Sequence, residues 1–573
     1  MTRGLAFRKG RALLLSVVCL LAALFIHPLY EDVDNYSVSM VTMGLFGGNG
    51  CQYTHTILNA LLGGLSCLLP SADVFALLAH VLVFLCFFLL MDISGDAEDT
   101  ALSLSKGSLF VPCAMFCLFF SASLCLLTAN YGIQAVFFAG TGWLALSCGI
   151  RKRSGTLYSC GLLLLVSGML WRLSVAAVLI PYILLDLALW FSNCSTGERR
   201  RAVFGVLPVC LSALFLVGCQ VLYERKPDVR EGFAYDRARI LLEDYPTKDW
   251  EEIRQEGEDL GFTELDYDMA RLWFLADTER MDTAFLTKMG ETGQTVQYKP
   301  DLKGLAGAAD ELLHFFEDER KENYAWLAGM VLLILLTDFS GAPARYTVMA
   351  GLSAAGSLVV ILFFLMIGRA PLRLLHMVFI AETLCLAGIL LRAEEQGNGR
   401  RKAAAVRIVR MALSAVLSLL MLFSVCYTVK KDGFRKPQTA LFARTGQEEE
   451  PAEEDFTLWE DWHAGIAHTL MDEGKLPTAG LLPYNLPAGD WVYGQPYFKE
   501  YLQSIGLANP ARHILENENA FFATNDEEFL LETLLYLSEK TGETIEAVPA
   551  GKKNGIARYI LQRRALAKKE DMR

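Results

Sequence analysis

Charge is scarce in this chain: Asp, Glu, Lys and Arg make up 20% of 573 residues, against 53% hydrophobic. A soluble protein of this length carries more charge and disperses its apolar residues periodically. Cysteine is missing from two long stretches, 223–324 and 429–573, so domains formed there fold without disulfides. No CxxC pair, HExxH or Cys/His metal spacing occurs, which removes the usual zinc and dithiol chemistries. A basic stripe is missing too, and with a net charge of −12 the chain lacks the electrostatic footprint of a nucleic-acid binder. No internal repeat is found.

What the chain does have is long apolar runs. In lipid every backbone polar group must be satisfied within its own segment, so such runs read as helices crossing roughly 30 Å of hydrocarbon. Eleven are placed, at 12–29, 72–92, 108–128, 132–150, 155–171, 174–192, 202–222, 325–341, 346–367, 374–391 and 405–428. The first follows Arg3, Arg8, Lys9 and Arg11 and lacks a small-x-small cleavage site, so it reads as an uncleaved span. Cysteines such as Cys86, Cys113, Cys117 and Cys385 lie inside the runs, where they act as small hydrophobes. The spans themselves carry almost no mid-membrane charge on this reading. The expected fold class is an all-α polytopic membrane protein with a helical loop domain on the outer face and a small C-terminal α/β domain.

Arg151-Lys152-Arg153, Arg199-Arg200-Arg201 and the cluster Arg392, Arg400, Arg401, Lys402 fall on one side with the N-terminal basic residues. Positive charge marks the cytoplasmic side. The N-terminus is therefore expected in the cytoplasm and the C-terminus beyond a plasma membrane. Arg369 and Arg373, in a short loop on the far side, depart from the rule. The stretch Ile57–Leu69 is too short to span, holds Gly63 and Gly64, and ends at Pro70. It reads as a helix lying on the outer membrane surface, as does Ser37–Phe46, with the flexible run Gly47-Gly48-Asn49-Gly50 between them.

Four regions follow: a membrane core 1–222 with its first outer loop at 30–71, an acidic outer segment 223–324, further spans over 325–428, and an outer domain 429–573. Helical spacing runs over Tyr235–Leu242 and Asp268–Leu275, with breakers at Asp244-Tyr245-Pro246 and Gly261. After the polar linker Gly446–Asp455 the tail predicts a helix near Phe456–Glu473, a strand Ala520–Ala523 and a helix Asp526–Lys540. Two further strands, Thr544–Val548 and Ile556–Leu561, are joined at Lys553-Asn554-Gly555 as a hairpin.

Directly after the first span stands Tyr30-Glu31-Asp32-Val33-Asp34-Asn35-Tyr36. A carboxylate at this interface reaches a substrate hydroxyl in water while staying near the headgroup of a lipid-linked donor. Partial burial raises its basicity, which suits a general base. The plainer alternative is a solvated acidic loop that disfavours wrong insertion.

One helix, an acid-bearing outer loop, six more spans and a long outer loop before the eighth together resemble the GT-C superfamily of membrane glycosyltransferases. More narrowly, the first loop is similar to that of a group of bacterial multi-pass proteins with an Asn-Asp-Asp-Tyr-type motif. The matching positions are Asp34-Asn35-Tyr36, Met40, Met43, Gly44, Gly47 and His55. Asn35 stands where that motif has its second Asp, and Asp32 is the nearby carboxylate that compensates. The resemblance extends to Trp171-Arg172, to Tyr235, Arg239 and Asp244-Tyr245-Pro246, and to Asp266-Tyr267, Trp273 and Asp277.

The resemblance implies inverting transfer of a sugar from a polyprenyl-phosphate donor to a glycan or glycolipid acceptor. Asp34 first and Asp32 second would take the acceptor proton, and Arg172 would stabilise charge on the leaving phosphate. Snorkelling is the alternative for Arg172, and for Arg369 and Arg373. His55 and Asn35 would orient the acceptor or the base, with helix capping as the alternative for His55. Asp244 and Asp266 would line the acceptor cleft unless they are merely solvated. A divalent metal is compatible with these acids, although nothing fixes its ligands. Competing readings are an O-antigen-type polymerase or ligase, a transporter, and a non-catalytic assembly protein.

Overall fold

A computed structural model describes residues 2–26, 33–48, 50–70, 72–102, 110–125, 130–192, 195–295, 302–318, 322–367, 372–396, 404–432, 456–460, 485–553 and 555–564. The N-terminal half holds α1 (Thr2–Ile26), α2 (Val33–Thr42), α3 (Thr56–Leu68), α4 (Val74–Leu102), α5 (Phe110–Cys125), α6 (Tyr131–Lys152), α7 (Gly155–Trp171), α8 (Ala176–Phe191) and α9 (Thr196–Glu224). A helical segment follows: α10 (Pro227–Glu243), α11 (Trp250–Leu260), α12 (Glu264–Arg271), α13 (Thr283–Gly293) and α14 (Leu302–Asp318). The chain then returns to long apolar helices in α15 (Glu322–Asp338), α16 (Arg345–Met366), α17 (Leu372–Gln396) and α18 (Ala404–Asp432).

Within the described residues, every block placed as a span is mainly helical. Six helices, in α4, α6, α9, α16, α17 and α18, are long and apolar enough to cross a bilayer, while α5, α7, α8 and α15 are apolar but shorter. Among the described residues, six rather than eleven therefore meet the requirement by length and composition. The packing agrees with a lipid environment. Helices α6 and α17 form the centre, with Val136, Phe138, Leu146, Leu386 and Leu390 almost fully buried. On the rim, Leu214, Val359 and Leu419 stand 66–69% exposed. Apolar faces of that extent belong against hydrocarbon, not water. At the α6–α7 contact small residues let the backbones touch: a Cβ on Gly142 would lie 2.3 Å from the Leu165 amide nitrogen.

The two ends of the bundle differ. At one, Arg151 pairs with Glu395 at 2.6 Å, Arg392 with Asp186 at 2.7 Å, and Arg410 with Glu394. Tyr158 there donates to the Gly205 carbonyl, bringing the start of α9 and its arginines to the same end. Arg151, Arg392 and the start of α9 thus lie at one end of the bundle, while Arg400, Arg401 and Lys402 lie outside the described residues. The other end carries α10–α13 and the C-terminal domain.

That domain comprises β1 (Phe456–Trp459), β2 (Asn485–Pro487), α19 (Pro496–Ser504), α20 (Pro510–Glu516), β3 (Ala520–Ala523), α21 (Glu527–Thr541), β4 (Ile545–Lys553) and β5 (Ile556–Arg563). Its five strands run in the order β2-β1-β3-β5-β4. β1 is parallel to β2 and β3, and β5 is antiparallel to β3 and β4. The hairpin expected at Lys553–Gly555 is present, with Gly555 at φ +83°.

Three expectations change. Phe456–Trp459 is a strand, not the start of a helix, because it is the buried strand between β2 and β3; the rest of that helix lies outside the described residues. The first helix of the first loop ends at Thr42, and Ser37–Thr42 are buried instead of resting on a membrane surface. The near-absence of charge within the spans has a buried exception: Glu382 is fully buried in α17, accepting from Ser353 and Ser357 of α16. The stretch after His55 is helical as expected, α3 burying Leu58 and Leu62 and exposing Leu61 and Leu68.

Candidate functional site

The domain-bearing end of the bundle is organised around Arg172. Helix α7 stops at Trp171 because Arg172 takes an extended conformation (φ −157°, ψ 103°), its N–H still bonding the Gly168 carbonyl. Its guanidinium carbon lies 4.7 Å from the centre of the Tyr131 ring and 6.0 Å from that of Tyr53. Tyr131 opens α6, held by the Asn130 side chain accepting from Gly132 and Ile133. No described carboxylate pairs with Arg172. Among the described residues it is a half-buried cation held by aromatic faces, which leaves its forked donors available for an anion.

Tyr53 connects this cation to a second one. Its hydroxyl donates to Asp236 at 2.9 Å and accepts from Arg239 at 3.0 Å. Arg239 is 4% exposed, pairs with Asp236 at 2.7 Å and with Glu243, and stacks on Trp273 at 4.8 Å. Trp273 sits at φ +64°, a left-handed conformation rare for a bulky residue. Packing holds it there: the Ala488 carbonyl accepts from Leu275 and Ala276 just beyond.

Tyr53 also meets the C-terminal domain, its ring 5.0 Å from Trp491 in an edge-to-face contact. The preceding Asp490 is fully buried, accepting from Val492 N–H at 3.0 Å and from the Ser37 hydroxyl of α2. An unbroken chain of contacts therefore runs from Arg172 through Tyr53 and Trp491 to α2. Asp34 and Asn35 occupy the first turn of that helix, but their side chains, and all of Asp32, lie outside the described residues. Arg369 also lies outside them.

The other expected residues have definite places. His55 is 1% exposed and caps α3: Nδ1 accepts from Ile57 N–H at 3.1 Å, and Nε2 donates to the Leu216 carbonyl at 2.9 Å. Burial holds it below the ordinary imidazole range, despite the Leu216 bond. With both nitrogens engaged, it is a latch between α3 and α9. Asp266 accepts from Thr263 N–H and pairs with Arg280 and Lys540, each at 2.8 Å. Burial acts to raise its carboxyl, but those donors outweigh it and hold the group below the usual carboxylate range. It clamps α12 to α21. Asp244 is the half-buried C-cap of α10.

Among the described residues no three His, Cys, Asp or Glu side chains gather as a metal site. The oxygens of Asp266 are already committed to cations, so the described acids do not fit a divalent ion. Two clefts open at this end, one between Gln52, Tyr223 and Tyr497 and one at the α9–α10 junction; Arg172 lines neither. Tyr53, Tyr131, Asp490 and Trp491 carry no motif that singles them out in sequence. An aromatic following Gln52 and a Tyr opening an apolar helix are ordinary interfacial residues until folded together.

Taken together, the six apolar helices, the lipid-facing rim and the domain seated on one end are those of a polytopic membrane protein. Neither family models, nor curated proteins, nor solved structures match the chain.

Proposed function

We propose that the protein is a membrane glycosyltransferase of GT-C type, moving a sugar from a polyprenyl-phosphate-linked donor to a surface glycan or glycolipid acceptor. In this reading α1 and the shorter apolar helices α5, α7, α8 and α15 also cross, giving eleven spans, with the N-terminus cytoplasmic and the C-terminal domain outside the plasma membrane. The observation that carries it is Arg172, a cation cradled by Tyr131 and Tyr53 with no described counter-ion. Such a group at the end of a membrane helix is costly to keep without a purpose, and a phosphate is the anion a guanidinium fork fits.

The acceptor hydroxyl attacks the anomeric carbon as its proton passes to the Asp34 carboxylate, with Asp32 as the second base. The bond between that carbon and the phosphate oxygen breaks, configuration inverts, and the charge gained by the phosphate is stabilised by Arg172. The Ser37–Asp490 contact supports this reading, because it fixes the helix that carries Asp34.

The test is transfer of radiolabelled sugar by membranes bearing single variants, together with glycan analysis of cells lacking the protein. Arg172→Ala should lower kcat by roughly a hundredfold or more, as loss of a transition-state donor does. Asp34→Ala and Asp32→Ala, normally expressed, should together abolish transfer; full activity in both overturns the proposal. A second reading, solute transport, is favoured by one observation: the buried Glu382 at the α16–α17 contact. In that case Glu382→Gln stops substrate uptake and leaves surface glycans unchanged.

A further inference from the structure

We infer that the α9–α10 junction is a binding site for the phosphate headgroup of an anionic bilayer phospholipid. The apolar run of α9 ends at Val221 and Leu222, and α10 begins five residues later at Pro227. Between them lies a cleft of about 520 Å³ lined by Arg225, Arg230 and Arg237, with Glu224, Val221 and Phe233 among the rest of its wall.

The three guanidiniums make no described hydrogen bond or ion pair. Glu224, the one carboxylate in the lining, accepts from Gln220 at 3.0 Å. Three forked donors facing one hollow repel one another unless an anion lies among them, and a phosphate, with its several oxygens, accepts from more than one fork at once. The cleft is no site for a purely polar anion, however. Its Val221 wall continues directly into the exposed face of α9, where Leu214 is 69%, Phe215 63% and Leu222 66% exposed. That face lies against hydrocarbon in the fold described above, so acyl chains rest on α9 while the headgroup enters the cleft. Cations beside a lipid-facing apolar surface add electrostatic attraction to anionic lipids. On the orientation proposed above these arginines lie on the far side, where positive charge is not needed for topology. The site is separate from Arg172, which is not part of this lining.

The experiment uses the full-length protein in phosphatidylcholine nanodiscs doped with phosphatidylglycerol, with bound lipid read by native mass spectrometry. Phosphatidylglycerol should be retained over phosphatidylcholine. Arg225→Gln, Arg230→Gln and Arg237→Gln should each lower its retention roughly fivefold, and the triple variant about a hundredfold. All three side chains are exposed, so the variants fold, which circular dichroism checks. Equal retention by the triple variant overturns the inference. Displacement of the lipid by equimolar inorganic phosphate also overturns it, because the site would then hold a soluble anion. Arg172→Ala should leave retention unchanged while impairing transfer, so this inference and the proposed enzymatic function fail separately.

Discussion

The Ser37 hydroxyl donates a hydrogen bond to the buried carboxylate of Asp490, across 453 positions of sequence. It ties the helix after the first span to the C-terminal domain. Ser37→Ala removes one of the buried donors around Asp490 and should cost about 1–3 kcal/mol. Thermal unfolding of the purified protein reads this as a lowered midpoint. Asp490→Asn keeps the shape and should cost less than Asp490→Ala; equal losses would mean that volume, not hydrogen bonding, matters there.

Arg239 is the most interdependent residue of the interface. Truncation to Ala leaves Asp236 and Glu243 without their cation in a buried setting, which typically costs about 3–5 kcal/mol. A triple replacement, Arg239→Met with Asp236→Asn and Glu243→Gln, removes the stranded charges and should recover much of the stability. Unfolding midpoints of the single and triple variants decide it. A single variant no worse than the triple would show that the carboxylates are not relying on Arg239.

Gly489 lies against Trp273 so closely that a Cβ would sit 1.6 Å from the Trp273 carbonyl oxygen. Backbone cannot yield as a flexible side chain does, so Gly489→Ala should separate the C-terminal domain from α10–α13. Overpacking of this kind costs about 1–3 kcal/mol and sometimes more. Limited proteolysis should show faster release of the tail. Gly307→Ala is the control, since nothing lies within 4 Å of its added Cβ, and it should be neutral.

How far the sequence reveals this molecule depends on the range of the interactions. Apolar blocks mark the membrane helices because lipid demands a continuous run, and Asn554-Gly555 marks its hairpin because the turn chemistry is local. Phe456–Trp459 misleads because four consecutively buried residues show no period, and only the flanking strands β2 and β3 define it. The run Gly47-Gly48-Asn49-Gly50 reads as a flexible linker, yet a Cβ on Gly48 would meet the Tyr497 ring at 2.7 Å. Gly47 and Gly48 serve close packing against a domain far along the chain, and Gly50 faces the Tyr223 hydroxyl of α9. Tyr235, Arg239, Trp273 and Asp277 are visible as a motif, but their job is not. Tyr235 packs under Gly494, and Asp277 accepts from Tyr536 and Asn509, so both hold the C-terminal domain in place. Glu382 passes unnoticed among the apolar residues of its span, because its role depends on Ser353 and Ser357, one helical turn apart in the span before it.

His55 gives a pH dependence with a definite sign. Its folded-state pKa lies below the ordinary value of 6.5, so under mild acid the unfolded chain binds a proton that the folded chain resists. Stability from this residue is therefore complete above about pH 7 and declines as pH falls below roughly 6.5 toward the folded value. The cause is specific: protonating Nδ1 destroys the acceptor for Ile57 N–H and puts an uncompensated charge beside the Leu216 contact. His55→Asn retains a capping oxygen but cannot titrate. Unfolding midpoints measured from pH 8 to pH 5 should fall more steeply for the native protein than for this variant. Parallel slopes would mean that His55 does not couple folding to protonation and that Nδ1 is not the acceptor on which the α3 cap depends.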